Sequence, residues 1–133
     1  MNSKEVMKEI LENSTTIAVV GASRNDYKAA HLIPKYLIDN GYNVLPVNPS
    51  GDIILGKKSF KSLTDITEPA DLINIFRPSK DCLDVVKEAI KIKPKYIWMQ
   101  AGIENDEAKA LAEENNIKVI MNRCIKIEHR KLK

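Results

Sequence analysis

Cysteine is scarce. The two that occur, Cys82 and Cys124, lie far apart and match no CxxC spacing. That excludes a disulfide framework and a cysteine-ligated metal site, and free thiols point to a reducing compartment, read here as the cytoplasm. No apolar run approaches the length of a membrane span, and the opening MNSKEVMKEILENS lacks the apolar core of a signal peptide. Neither charge dominates. A net charge of +3 over 133 residues suits a small anionic ligand, but it is too mild for nucleic acid. No basic block precedes the short tail His129-Arg130-Lys131, and internal repeats and low-complexity stretches are absent.

What is present is ordinary for a soluble globular protein. The chain is 44% hydrophobic and 29% charged, in a length that fits one domain, residues 1–133, with a core of its own. Ser3 is placed to cap a first helix that carries Val6, Met7, Ile10 and Leu11 on one stripe and ends near Asn13. The spacing sets this helix, within residues 1–14, against the domain. Thr16 to Val20 is a β-branched, apolar run of the kind a strand buried on both faces shows. A helix with Leu32, Ile33, Tyr36 and Leu37 follows, closed at Asn40-Gly41. Pro34 places its regular start just before that residue. The pattern then predicts strands at Asn43–Val47, Ala70–Phe76, Tyr96–Met99 and Ile117–Met121. Helices are predicted at Ser79–Ile92 and Asn105–Asn115, and Ser50–Glu68 reads as irregular, with an extended piece at Ile53-Ile54 and a turn at Gly56. Apolar strands alternating with amphipathic helices give an α/β fold. It is a Rossmann-like, doubly wound parallel sheet of about five strands with helices on both faces. Ligands of such sheets bind at the carboxyl ends of the strands, where the strand order reverses.

Glycine is scarce too, five in all, and one of them carries the functional reading. In IAVVGASRNDYK a buried strand runs into Gly21 and then into small, polar and basic residues. A residue without a Cβ lets a phosphate approach the backbone, and the next helix offers free N–H groups and the positive end of its dipole. Ser23 adds a hydroxyl; Arg24 and Lys28 add cations. The dinucleotide fingerprint needs two more glycines, however, and Ser23 and Asp26 stand in their places. NAD-binding domains also carry an acid at the end of the second strand. Here that strand ends Leu45-Pro46-Val47-Asn48-Pro49. A ligand with phosphates and an adenosine, other than a nicotinamide dinucleotide, fits better.

Six short stretches follow in order: Gly21-Ala22-Ser23; Gly41-Tyr42 before Val44-Leu45-Pro46-Val47-Asn48-Pro49; Leu55-Gly56; Phe76-Arg77-Pro78; Trp98-Met99-Gln100-Ala101-Gly102-Ile103; and Asn122-Arg123-Cys124. The series resembles the small stand-alone CoA-binding domain proteins. These are similar to the CoA-binding domain of the succinyl-CoA synthetase α subunit and of ADP-forming acyl-CoA synthetases. The resemblance runs from about Thr16 to the C-terminus. It implies CoA or an acyl-CoA held across the strand ends, with phosphates on Gly21, Ala22, Ser23, Arg24 and Lys28. It implies the adenosine end near Val47, Asn48 and Pro49, and the remainder near Phe76, Arg77, Gln100 and Gly102. A basic residue soon after Asn-Pro is missing; Ser50 and Gly51 stand there. Arg24, Lys28 and Lys57 are therefore the candidates for the ribose 3′-phosphate.

No residue set reads as catalytic. His31 follows the phosphate loop without a nearby carboxylate and reads as a packing or capping group, and His129 reads as solvated. Asp65, Asp71 and Asp84 sit where caps and surface are the ordinary roles. Cys82, Tyr96 and Trp98 read as core, and Cys124 as a small buried hydrophobe. The expectation is a CoA-binding module that binds a small nucleotide ligand and needs no metal, nucleic acid or membrane. Two alternatives stay open. One is an NAD(P)-binding redox protein or sensor on the same scaffold. The other is a ligand-sensing subunit that docks to a larger acyl-CoA enzyme, or to a second copy of itself.

Overall fold

The computed structural model describes residues 2–133. In chain order the elements are α1 (Ser3–Asn13), β1 (Thr16–Val20), α2 (Ala29–Asp39), β2 (Asn43–Val47), β3 (Ile53–Ile54) and β4 (Lys57–Lys58). They continue with β5 (Leu72–Ile75), α3 (Cys82–Lys91), β6 (Tyr96–Met99), α4 (Asp106–Glu114), β7 (Lys118–Ile120) and α5 (Ile125–Lys131). Five strands form one parallel sheet in the order β2-β1-β5-β6-β7, so the α/β, Rossmann-like reading holds. From β1 the chain steps outward to β2, then crosses back to β5 on the other side. The order reverses between β1 and β5, where Val20 lies in register with Ile75, and with Val47 on its other side. No helix among the described residues is long and apolar enough to cross a membrane.

The strands are apolar because both faces are covered. One face packs Ala18, Ile73, Ile97 and Met99 against Val86 and Ala89 of α3 and Ala108 and Ala112 of α4. The other packs Ile17, Val19, Leu72 and Trp98 against Ile10 and Leu11 of α1, Leu37 of α2 and Ile125 of α5. Cys82, Tyr96 and Trp98 are buried, as their places in the pattern required.

Four local readings change. Asn2, not Ser3, caps α1, its side chain accepting from Glu5 N at 2.9 Å. The 50–68 segment holds a two-stranded hairpin, β3 with β4, and a 3-10 turn at Leu63–Asp65. After it, Phe60 pairs in parallel with Val47, donating to Pro46 O at 2.9 Å and accepting from Asn48 N at 2.8 Å. Phe60 is thus a one-residue strand outside β2. The charged tail is not loose, either, since it forms α5. His129 packs edge-on against Tyr36 and Tyr42 and shares a hydrogen bond of 2.8 Å with the Tyr36 hydroxyl. Burial, and then Lys133, hold its imidazole below the ordinary value. The apolar positions of α5 are too few to show as a helical stripe, so the aromatic socket around His129 depends on tertiary contact.

Helix α2 begins at Ala29, so Pro34 lies in its middle rather than its first turn. A proline there removes the N–H that would bond the carbonyl four residues back. That carbonyl is Ala30 O, and it accepts instead from Ser23 N, in the loop after β1, at 3.0 Å.

Asp71 ties the opposite end of the sheet. Its Oδ2 accepts from Thr15 N at 2.8 Å and Thr16 N at 3.0 Å, and Lys95 lies 3.6 Å from Oδ1. Partial burial acts to raise this carboxyl, but the two backbone donors and Lys95 outweigh it and hold it below its ordinary value. A depressed carboxyl stabilises the fold above its unfolded pKa, and that contribution fades as pH falls through the folded one. Asp71→Ala is therefore expected to lose roughly 2 kcal/mol at neutral pH, the scale of hydrogen bonds to a charged group. Urea denaturation at pH 7 should show the gap between variant and wild type, and the same titration below about pH 4 should show it shrinking. A gap independent of pH would mean that Asp71 acts through packing alone.

Candidate functional site

The loops that follow β1, β2, β5 and β6 meet at one end of the sheet, around the point where strand order reverses. Gly21 turns the chain with φ +88° and donates to Val47 O at 3.0 Å. Across the reversal, Phe76 N donates to Val20 O at 2.8 Å, which draws the end of β5 against the turn. A Cβ built on Gly21 would stand 2.8 Å from Phe76 O and 3.1 Å from Phe76 C. Glycine is required here by the approach of two strand ends as well as by its left-handed conformation. Access for a phosphate is thus not needed to explain it, and a bulky substitution would strain the fold together with the candidate site.

Loop 21–28 is held from three sides. Asn48 Nδ2 donates to Ala22 O at 2.9 Å, while Asn48 Oδ1 accepts from Ser50 N and Ser50 Oγ at 2.9 and 2.7 Å. Ser23 N is bound to Ala30 O, and Ser23 O accepts from His31 Nδ1 at 2.8 Å. A carbonyl cannot donate, so Nδ1 carries the proton. His31 is thereby a brace for the loop. Ser23 Oγ accepts from Asn25 N at 3.1 Å, and its own proton remains to be donated. The N–H groups of Gly21 and Ser23 are both engaged within the fold. The start of α2 is different, since Lys28 at its N-cap position gives it no side-chain cap.

The expected site residues divide by exposure. Arg24, Lys28, Pro49, Arg77 and Gly102 are exposed at this end of the sheet, Ser23, Asn48 and Phe76 are half-buried, and Ala22 and Val47 are core. Arg24 Nε stands 3.7 Å from Asp52, and Arg77 pairs with Asp81 at 3.0 Å, both pairs largely in solvent. Gly102 N donates to Asn122 Oδ1 at 2.7 Å, which links the loop after β6 to the segment after β7. Gln100 turns inward: its Oε1 accepts from Ile125 N at 3.0 Å and Asn74 Nδ2 at 3.2 Å. Lys57 drops out as a phosphate candidate. Its Nζ donates to Val44 O at 2.8 Å and Asn43 Oδ1 at 3.3 Å, at the start of β2 and so at the far end of the sheet. The path of its segment was not legible from local pattern, and the hairpin turns it that way.

Two features escaped the sequence reading. Asn74, fully buried in β5, is a single polar letter in LINI. Beyond β7, a cleft of about 640 Å³ between α1 and α5 is lined by Lys4, Lys8, Arg123, Glu128 and Lys131. Its cations come from three separate segments, so no local run announces them. No cluster of His, Cys, Asp or Glu fit to hold a metal occurs among the described residues.

Comparison with known proteins bears on this arrangement. YneT, an uncharacterised protein of Bacillus subtilis, is 40% identical over 127 residues, 96% of this chain and 94% of its own. The ADP-forming acetate–CoA ligase of Methanocaldococcus jannaschii is 30% identical over 120 residues. That match takes in 84% of this chain but only 17% of the ligase. A solved structure from Thermus thermophilus superposes with a TM-score of 0.93 at 36% identity, over the whole of both chains. The profile of the CoA binding domain matches residues 15–130, which takes in the glycine turn, the Asn48-Pro49 loop and the strand ends beside them, and the chain belongs to that family.

Proposed function

We propose that the protein binds CoA or an acyl-CoA across the carboxyl ends of β1, β2, β5 and β6, and that it carries no catalytic machinery of its own. One observation carries the reading. The CoA-binding family profile spans residues 15–130, and within it the glycine turn at the strand reversal leads into a helix start that no side chain caps. Uncapped first-turn N–H groups and the helix dipole favour an anion. With Gly21 N and Ser23 N engaged, the phosphates fall to the start of α2, the Ser23 hydroxyl, Arg24 and Lys28. Val47, Asn48 and Pro49 border the adenosine half. Phe76, Arg77, Gln100 and Gly102 border the rest.

Supporting this, the second strand ends in Asn48-Pro49 with no acid to hold a ribose in the manner of NAD domains. The nearest acid beyond it, Asp52, faces Arg24. A ligand that binds only the folded state adds about 2.7 kcal/mol at a hundredfold excess over Kd. CoA is therefore expected to raise the melting temperature by several degrees, and NAD at the same concentration to leave it unchanged. Differential scanning fluorimetry with both ligands tests this, and equal shifts would remove the assignment.

The 3′-phosphate of CoA needs a cation. Arg24 and Lys28 remain after Lys57 is excluded. The exposed Arg24–Asp52 pair holds by no more than about 1 kcal/mol, weak enough for a phosphate dianion to displace the carboxylate. A charge-assisted hydrogen bond contributes roughly 1.5–3 kcal/mol, about ten- to a hundredfold in affinity. Arg24→Ala or Lys28→Ala is expected to weaken CoA by that factor and dephospho-CoA far less, in calorimetry at fixed salt. Equal losses for both ligands would assign these side chains to the pyrophosphate.

A further inference from the structure

Asn74 is the one polar residue in β5, fully buried, in register with Val19 on one side and Trp98 on the other. Its orientation follows from a chain of donors. Ile125 N, at the start of α5, requires an acceptor, so the Gln100 atom that faces it at 3.0 Å is Oε1. The same oxygen faces Asn74 at 3.2 Å, so the Asn74 atom there is the donor Nδ2, which also lies 3.4 Å from Trp98 O. Asn74 Oδ1 is left as a buried acceptor with no partner. Such a group costs about 1–3 kcal/mol, and the two contacts of Nδ2 leave that cost in place, because they satisfy the donor and not the acceptor. Its position is specific: one residue inside the strand ends, on β5 at the reversal of strand order, with Phe76 next on the same face toward the site. Half-buried Cys124 borders the same cluster beside Ile125.

We propose that Asn74 Oδ1 accepts a hydrogen bond from an amide N–H of the pantetheine arm of CoA, which makes Asn74 the residue that recognises the non-nucleotide half of the ligand. This rests on the CoA reading above. An uncharged acceptor repels a phosphate and selects a neutral donor. The arm carries two amide N–H groups and reaches inward once the phosphates are held at the loop after β1. The arm enters between Phe76 and Cys124, two of the half-buried residues at the rim of this cluster.

The test compares CoA with adenosine 3′,5′-bisphosphate, which has the nucleotide end and no arm, by calorimetry on wild type and Asn74→Ala. Asn74→Leu, closer to the amide in size, serves as a second variant should the smaller one fail to fold. The expected result is a loss of roughly three- to tenfold for CoA with the bisphosphate unchanged. Equal losses for both ligands would mean that Asn74 only supports the fold, and unchanged CoA affinity would mean that Oδ1 makes no bond to the ligand. Either overturns the proposal. A wild type that binds neither ligand would instead remove the CoA reading itself.

Discussion

Everything at the candidate site depends on how closely two strand ends approach. Gly21 is pressed against the Phe76 carbonyl, with 2.8 Å between that oxygen and the place a Cβ would take. The contact joins the first half of the fold to the second at the one place where no strand continues across. Bonds from Gly21 to Val47 and from Phe76 to Val20 make three strand ends into one rigid rim. The loops beyond that rim take their positions from it.

The loop after β1 shows how such a rim is finished. Proline in the middle of α2 is a defect by the rules of an isolated helix, because a turn loses a hydrogen bond. Here the orphaned Ala30 carbonyl takes Ser23 N, and His31 from the next position takes Ser23 O. Both backbone polar groups of Ser23, on the two peptide units that flank its Cα, are thereby held by a single turn of helix. The loop's order comes from a helix weakened in the right place, and its remaining polar groups are left to face outward.

Much of this was legible in the sequence. The strands read clearly because a parallel sheet covered on both faces needs unbroken apolar runs, and TIAVV and YIWM supply them. Their carboxyl ends then marked out the candidate site without further information. Other parts turned on contacts between distant residues. Pro34 could be read only as a helix start, since its partner effect lies eleven residues upstream at Ser23. His129 stood among basic neighbours, and its aromatic surroundings come from α2 and the turn after it. Lys57 followed Gly56 in a segment whose course is set by the pairing of Phe60 with β2. Asn74 could not be told from a polar slip in a strand until its amide was seen to be fixed by Gln100 and Ile125.

The outer side of β2 has a consequence for how copies of this protein meet. An edge strand ordinarily offers a row of unpaired backbone groups to any passing chain. On β2 the outward groups fall on Val44, Pro46 and Asn48. Lys57 Nζ covers Val44 O, Phe60 N covers Pro46 O, and Phe60 O takes Asn48 N, while proline has no N–H to offer. Phe60 and a lysine thus close a border that a full strand would otherwise have to fill. A second molecule finds little of a ladder to extend on that side, so concentrated protein is protected there against growth into a continuous sheet, and contacts through this edge must be built on side chains instead.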